Sequence, residues 1–468
     1  MAAMAEPIAC SKMQAGVRSD SAERCARDVR GRMLCVTGSA QTWVANVRNW
    51  CGNLAIGLGA IAALAALAAC APQHQSGGGS AGVAADWCFQ GVTAPSAARS
   101  DGGRYRQGFR WLDQARQTGD PGFLIAAAAC ADLNEAGGES APALSADANV
   151  NLLRMQVMMS RHEFARAQAY GESWLATGEA PPLAMLLVSD ALLELGRVTE
   201  ATELANQAMR ARPDQNAYAR VAHLRWLHGE IEGAKAMYLD LLQNRNPVHP
   251  EVNAQRFLEL AKLVQMQGDQ AGARALVQAG LRDLPDHRDS LLWVGRTALA
   301  ANDAAAAHDA LRRLEQGFVD IPVLALKRDL ARLEQRDAEM QALNARIDQL
   351  GRRGEGFAYA LDLLARQTAP ERALALIQAE RRSRHGLELD AAEANALMQL
   401  GRADAALPAI EQALRFGTPE PTWLSLRAEI LTRLNRPEDA QLAMANVAAI
   451  QVLLSSSDHT IPPTARSP

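Results

Sequence analysis

A single register of small residues constrains this 468-residue chain more than any other feature. Nine positions, spaced by 33 or 34 residues and in one case by 39, carry alanine eight times and methionine once. A period near 34 residues is typical of helix pairs that repeat along a chain and stack into an elongated array. The nine positions are Ala167, Ala201, Ala234, Ala273, Ala307, Met340, Ala373, Ala406 and Ala440.

Each copy of the repeat consists of two amphipathic segments joined by a turn. In the copy that spans 182–215, the first segment ends at Leu195, Gly196 follows, and the second segment places Ala201 and Ala208 on one face. Apolar residues spaced by three and four predict helices. A glycine just past a helix accepts the left-handed conformation that many C-caps require. The same position holds glycine or asparagine in most copies: Gly196, Gly229, Gly268, Asn302, Gly401 and Asn435.

These residues resemble the tetratricopeptide repeat. The resemblance is carried by Leu195 and Gly196 before the turn, Ala201 after it, Ala208 seven residues later, and Pro213 at the end of the second helix. Helix pairs of this kind bury their apolar faces only by stacking on neighbours. The resemblance therefore implies an all-α fold, a right-handed superhelical solenoid of about nine helix pairs.

The nine copies are expected to occupy residues 148–454 and to begin near 148, 182, 215, 254, 288, 321, 354, 387 and 421. The copy that holds Met340 departs most from the pattern. Residues 103–147 are expected to form a divergent N-terminal repeat or cap, and the 39-residue interval predicts a loop at 244–250. Residues 455–468 are polar and contain proline, which predicts a disordered tail.

In tetratricopeptide arrays the first helix of each pair lines the concave surface, where proteins or peptide segments bind. The positions implied here mix apolar residues with alternating charges, which suits a peptide laid in a groove. The alternative is that some of these residues, Trp226 and Leu186 above all, pack between neighbouring repeats. The candidate partner-binding residues are Leu186, Asp190, His223, Trp226, Lys262 and Arg296.

The N-terminal region has the character of a targeting segment. An apolar run from Leu54 to Ala69 contains no charge, follows Arg48 and ends at Cys70. Such a run is short for a membrane span and typical of a signal peptide. The sequence Leu67 to Cys70 resembles the bacterial lipobox, which implies that the Cys70 thiol is acylated and anchors the chain to a membrane. The alternative is a plain N-terminal anchor in which Cys70 is incidental.

The segments on either side of this run complete the expected organisation. Residues 1–47 are too long and too polar for a signal peptide, so residues 1–70 are interpreted as a start assigned too early plus the signal peptide. We leave them out of the fold. Residues 71–102 contain a glycine- and serine-rich stretch and are expected to form a flexible tether. Residue 71 is alanine, which by the same resemblance favours the periplasmic face of the outer membrane over the inner membrane.

Two of the seven cysteines, Cys88 and Cys130, remain once the signal region and Cys70 are set aside. An oxidising periplasm favours a disulfide between them. The alternative is two buried, unpaired cysteines, because Cys130 ends an apolar run.

The sequence offers little support for catalysis. It contains no glycine-rich phosphate loop outside the signal region, no GxSxG and no HExxH, and its nine histidines are scattered. We therefore expect no enzyme activity, no metal site and no cofactor. Without residues 1–70 the chain holds 41 basic and 48 acidic residues, and this dispersed, mildly acidic balance gives no support to nucleic-acid binding.

Two classes of function remain open. The first is a lipid-anchored periplasmic scaffold that holds partner proteins of an envelope machine, one that exports polysaccharide, builds a pilus or assembles outer-membrane proteins. The second is an adaptor that recruits or regulates a periplasmic peptidoglycan hydrolase or protease. No residue in the sequence chooses between them.

Overall fold

The structure of the chain is a computed structural model. It describes residues 88–89, 101–133, 142–245, 250–354 and 356–452, and the backbone of two short strands. The strands, β1 (Arg24–Arg27) and β2 (Met33–Val36), form an antiparallel pair in which the backbone of Cys25 lies opposite that of Cys35. They belong to a compact unit of residues 1–78, distinct from a second unit of residues 79–468.

The described part of the second unit is helical and contains twenty helices arranged as ten consecutive pairs. The helices are α1 (Asp101–Thr118), α2 (Pro121–Cys130), α3 (Ala148–Ser160), α4 (Phe164–Leu175), α5 (Pro182–Glu194), α6 (Val198–Ala211), α7 (Gln215–Leu227), α8 (Ile231–Gln243), α9 (Pro250–Met266), α10 (Gln270–Asp283), α11 (Arg288–Ala300), α12 (Ala304–Leu314), α13 (Ile321–Leu333), α14 (Asp337–Gly351), α15 (Gly356–Ala365), α16 (Pro370–Glu380), α17 (Leu387–Gln399), α18 (Ala403–Ala413), α19 (Pro421–Arg433) and α20 (Pro437–Val452).

The alanine register marks the place where the two helices of each pair meet. All eight register alanines are buried, and only Ala440, at 6%, retains any exposed surface. Because alanine carries a single methyl group, it lets the two helix axes approach closely. Met340 is only partly buried, so the copy that departs from the pattern is also the one with a longer side chain at this contact.

The turn inside each pair adopts the left-handed conformation that the sequence predicts. The φ angle is +75° at Gly196, and the amide of Arg197 donates to the carbonyl of Leu192 at 2.9 Å. This is the Schellman arrangement, which satisfies a carbonyl at the helix end. His162 and Gln335 adopt the same conformation in copies that lack a glycine or asparagine there.

Neighbouring pairs pack on each other through the first helix of the later pair, which contacts both helices of the earlier pair. Thus α5 contacts α3 and α4, and α13 contacts α11 and α12, whereas second helices of neighbouring pairs do not pack on each other to that extent in the described residues. An array whose first helices lie closer together curves toward them. The first helices therefore line the concave surface, and a buried apolar core runs along the array between the two layers.

The N-terminal pair, α1 and α2, continues the array and is fastened by a disulfide. Cys88 and Cys130 are bonded, with 4.7 Å between their Cα atoms, and both are buried. The indole of Trp111 donates to the carbonyl of Cys88 at 2.9 Å. Residue 88 lies within the segment expected to be a flexible tether, and the bridge fixes it against the end of α2.

One predicted boundary of a copy differs from the structure. The predicted copy start at 254 is late, because α9 already begins at Pro250 and extends over 17 residues. Proline fits there since the first turn of a helix needs no hydrogen-bond donor.

The apolar run 54–69, Cys70 and the tail 455–468 lie outside the described residues. In the described part of the chain, no helix combines the length and apolarity needed to cross a membrane.

Candidate partner-binding groove

The prediction is wrong for one of the six groove residues, Leu186. Leu186 is 1% exposed and lies in the apolar core, as do Leu258 and Leu292, which occupy the same repeat position. The physical reason is that this position faces the contact between neighbouring first helices, not the open groove. Leu186 therefore stabilises the stacking of the array and is not available to a partner.

Asp190 lies in the groove, but its carboxylate is engaged by a neighbouring repeat. Arg220 on α7 donates to it from Nε at 3.0 Å and from Nη2 at 2.8 Å. Both side chains are about one-third exposed. The charge of Asp190 raises the pKa of Arg220 above its ordinary value, so the guanidinium stays protonated. This pair ties first helices α5 and α7 together along the concave surface.

His223 and Trp226 form an aromatic pair on α7, with ring centroids 5.4 Å apart. Both are partly buried, and Trp226 packs against the central apolar cluster. Its indole Nε1 is buried and has no hydrogen-bond partner among the described residues. Trp226 thus contributes to the core with one part of its ring and borders the groove with another.

Lys262 and Arg296 are the two accessible cations of the predicted set. Lys262 is 43% exposed and forms an ion pair with Glu259, one turn earlier on α9, at 2.9 Å. Arg296 on α11 is exposed and makes no hydrogen bond or ion pair within the described residues. Of the six, Arg296 is the side chain most available to a partner.

Arg116, which was not predicted, faces the same groove from the N-terminal pair. It donates to Gln156 of α3 at 2.8 Å. Burial lowers the pKa of its guanidinium, and the charges of Asp113, Arg220 and Glu251 act on it as well. Arg220 lies on α7 and Glu251 on α9, so charges from three first helices influence one another along the concave surface.

The array also curves far enough to contact itself. The amide of His385, in the loop before α17, donates to the carbonyl of Glu194 at 2.7 Å. Arg384 donates from Nε to the carboxylate of Glu194, also at 2.7 Å. One pair further along, the hydroxyl of Thr418 donates to the carbonyl of Leu227 at 2.8 Å. These contacts join residues that lie 190 and 191 positions apart.

The same line of contacts continues at both ends. Toward the N-terminus, the amide of Phe318 donates to the carbonyl of Thr118 at 3.3 Å. Toward the C-terminus, the ring of Phe416 meets His228 edge-on, with centroids 5.4 Å apart. We call these contacts the seam: turns 118–119, 194–196 and 227–229 on one edge, and loops 317–318, 384–385 and 415–418 on the other.

Outside the groove and the seam, the described residues offer little for chemistry. No group of three histidine, cysteine, aspartate or glutamate side chains in the described ranges is arranged to hold a metal ion. A pocket of about 210 Å³ lies between α6 and α7. Four of its polar side chains engage one another, since Arg225 pairs with Glu230 at 3.7 Å and His228 lies 3.3 Å from the Thr202 hydroxyl.

Comparisons with known proteins add similarity at low levels. No family model matches the chain, and no curated protein matches it. A tetratricopeptide repeat protein from Parabacteroides merdae is similar at 17% identity and a TM-score of 0.27, over 59% of this chain and 98% of that one. The APC/C hetero-tetramer Cut9–Hcn1 is similar at 13% and 0.32, over 75% and 85%. Yeast Tom70 is similar at 10% and 0.32, over 76% and 94%.

The geometry of the chain itself shows the fold. The period near 34 residues, the buried alanine at each helix crossing, the left-handed turn before it and the contacts between first helices all agree. The described residues between 101 and 452 form a tetratricopeptide-like helix-pair solenoid.

Proposed function

We propose that this chain is a lipid-anchored scaffold that binds extended segments of partner proteins in its concave groove. We place it on the periplasmic face of the outer membrane, as part of an envelope assembly or export machine. The observation that carries the binding proposal is the set of groove side chains that remain at least partly exposed, led by Arg296.

Arg296 is the clearest member of this set, because it is exposed and has no partner within the described residues. Lys262 keeps 43% of its side chain accessible despite its ion pair. Trp226 lies beside His223 and is partly exposed, although its indole nitrogen is buried. Tryptophan and arginine are enriched among the residues that dominate binding energy at protein interfaces.

The envelope location has separate support. Disulfides persist in oxidising compartments, and the Cys88–Cys130 bridge is buried against α1 and α2. The apolar run 54–69 followed by Cys70 supports export and acylation. Replacing Cys70 by alanine should release the protein from the membrane fraction or leave an unprocessed precursor. Mass spectrometry that finds Cys70 unmodified in membrane-bound protein would argue against the anchor.

The groove is tested by site-specific photocrosslinking in the cell of origin. A photoreactive amino acid at Arg296 should crosslink to a discrete partner, whereas the same residue at Gln207, exposed on the second helix α6, should not. With that partner purified, Arg296→Ala and Trp226→Ala should each weaken binding by more than about 1 kcal/mol. Gln207→Ala should leave the affinity unchanged.

Hydrogen exchange on each variant separates loss of binding from loss of fold, which matters because Trp226 also packs against the core. Arg296→Ala removes no side-chain hydrogen bond or ion pair within the described residues and is the cleaner test. A folded Arg296→Ala variant that crosslinks and binds as the unmodified chain does would move the binding surface away from this groove.

A further inference from the structure

The seam brings together two edges of the solenoid that contacts between neighbouring pairs do not join. On one edge lie turns inside the early helix pairs, and on the other lie loops between later pairs. Beyond the contacts to Glu194 described above, Arg415 donates to the carbonyl of Gly196 at 3.3 Å. The guanidinium of Arg415 also lies 4.7 Å over the ring of Phe416, which in turn meets His228.

Two glycines lie where the edges approach most closely. A Cβ atom added at Gly196 would lie 2.7 Å from the carbonyl oxygen of His385, and one added at Gly229 would lie 3.0 Å from that of Gly417. Backbone oxygens cannot rotate away as a flexible side chain can. A side chain at either glycine would therefore force the two edges apart.

Elsewhere in the array, the same turn position has no such neighbour. Gly268 and Gly401 share the left-handed conformation, with φ of +84° and +72°, and an added Cβ at either meets nothing within 4 Å. The absence of a side chain at Gly196 thus serves two purposes. It permits the turn, and it permits the seam.

The seam differs from the contacts between neighbouring pairs, which are mainly apolar. It consists of hydrogen bonds, an ion pair and a ring edge between turns and loops, with an apolar margin in which Leu387 and Phe416 join the cluster built by α5 to α13. Six helix pairs, from α5–α6 to α15–α16, lie between the edges at Glu194 and His385. Since the pairs are otherwise joined only through their neighbours, a small rotation at each step adds up to a large movement of the edges.

We propose that the seam is a latch that closes the side of the concave groove and opens as a unit, without unfolding any helix pair. In the closed form a segment enters the groove only from an end. In the open form the groove is also accessible from the side, so that opening admits and releases partners. The part of this proposal that concerns access depends on the proposed function, and the part that concerns opening does not.

The test compares Gly196→Ala with Gly401→Ala in the full chain. Both variants place alanine in the same strained turn conformation, but only the first meets the opposite edge. Hydrogen exchange followed by mass spectrometry reports on the amide of His385, whose partner is the carbonyl of Glu194. We expect Gly196→Ala to abolish protection at His385 and to lengthen the maximum dimension in small-angle X-ray scattering. Gly401→Ala should do neither.

Thr418→Val provides a second variant that needs no change at a turn. It removes the hydroxyl that donates to Leu227 and keeps the shape of a buried side chain. It should reduce protection at His385 in the same direction. The latch is wrong if His385 in the unmodified chain exchanges as fast as an unbonded loop amide. It is also wrong if Gly196→Ala and Gly401→Ala behave alike.

Access is measured with p-azidophenylalanine at position 296 and two cyclooctyne reagents, one small and one attached to a large polymer. Gly196→Ala should raise the rate of polymer labelling several-fold relative to the small reagent, and Gly401→Ala should not. An open seam without faster polymer labelling would overturn the gating of access, while photocrosslinking at Arg296 would still decide the binding proposal on its own.

Discussion

Replacing Ala273 by leucine should destabilise the array locally, because Ala273 lies at the crossing of α9 and α10 with no exposed surface. Leucine adds three carbon atoms at this point. The spacing of the same two helices shows how little room they leave. Seven residues later, even a single Cβ added at Gly280 would lie 3.1 Å from the Cβ of Phe257 and 3.2 Å from the Cα of Ala254.

The expected cost follows from that spacing. Overpacking of a buried site costs about 1–3 kcal/mol, and it is largest where neighbouring atoms cannot move aside. Since backbone atoms border this helix crossing, we expect Ala273→Leu to lower the free energy of unfolding by about 3 kcal/mol. Ala275→Leu is the matched control, because it makes the same chemical change on the exposed face of the same helix. Surface changes of that kind stay within about 0.5 kcal/mol.

Native-state hydrogen exchange measures both variants helix by helix. Ala273→Leu should lower the opening free energy of amides in α9, α10 and the adjoining pair α11–α12 first, because damage in a nearest-neighbour array begins locally. Urea unfolding gives the total loss. If Ala273→Leu and Ala275→Leu have equal effects on both measurements, the alanine register does not set the distance between the helices.

Three further predictions concern buried groups of the described chain. Asp362→Ala removes the buried carboxylate that pairs with both Arg328 and Arg366 and leaves Arg328 only its pair with Asp329, so it should cost about 3 kcal/mol in urea unfolding, the lower end for breaking a buried pair. Asp309→Ala at an exposed pair should cost less than about 1 kcal/mol, and equal losses would contradict this. Reducing the Cys88–Cys130 bridge should destabilise the N-terminal pair by about 4 kcal/mol, visible as faster exchange in α1 and α2 under reductant and disproved by unchanged exchange. Burial lowers the pKa of His287 below its ordinary value of 6.5. The neutral ring caps α11, so the stability that it contributes is fully present above pH 6.5 and is lost as the pH falls through the lowered pKa. His287→Asn, which keeps a capping acceptor, should show a shallower loss of stability on acidification from about pH 7, whereas an identical pH profile would exclude the ring as the titrating group.

The repeated unit could be predicted from the sequence because its requirements are local. Ala201 and Gly196 are set by a helix crossing and a turn that involve residues within one copy. The copies with His162 and Gln335 show the limit of that signal, since these residues adopt the same left-handed turn. A hydrogen bond to the helix end stabilises the turn there, and the residue type alone does not reveal it.

The groove was predicted less well because its residues depend on contacts between copies. Leu186 has the spacing of a groove residue, but the first helices of neighbouring pairs close over it. Arg220 was missed because it acts through Asp190 of the preceding copy. The seam could not be predicted at all. Its edges lie about 190 residues apart, and their meeting depends on the summed rotation of many pairs, which a repeat period does not contain.

The seam also gives the number of helix pairs a significance that it lacks in an open array. In a solenoid held only by contacts between neighbours, duplication or loss of one unit leaves every remaining contact intact. Here Glu194 meets Arg384 after 190 residues, and Leu227 meets Thr418 after 191. Inserting one unit between them would bring the wrong loop against each turn, one pair out of step. Closure therefore fixes the copy number between the two edges, much as closure of a β-barrel fixes its number of strands.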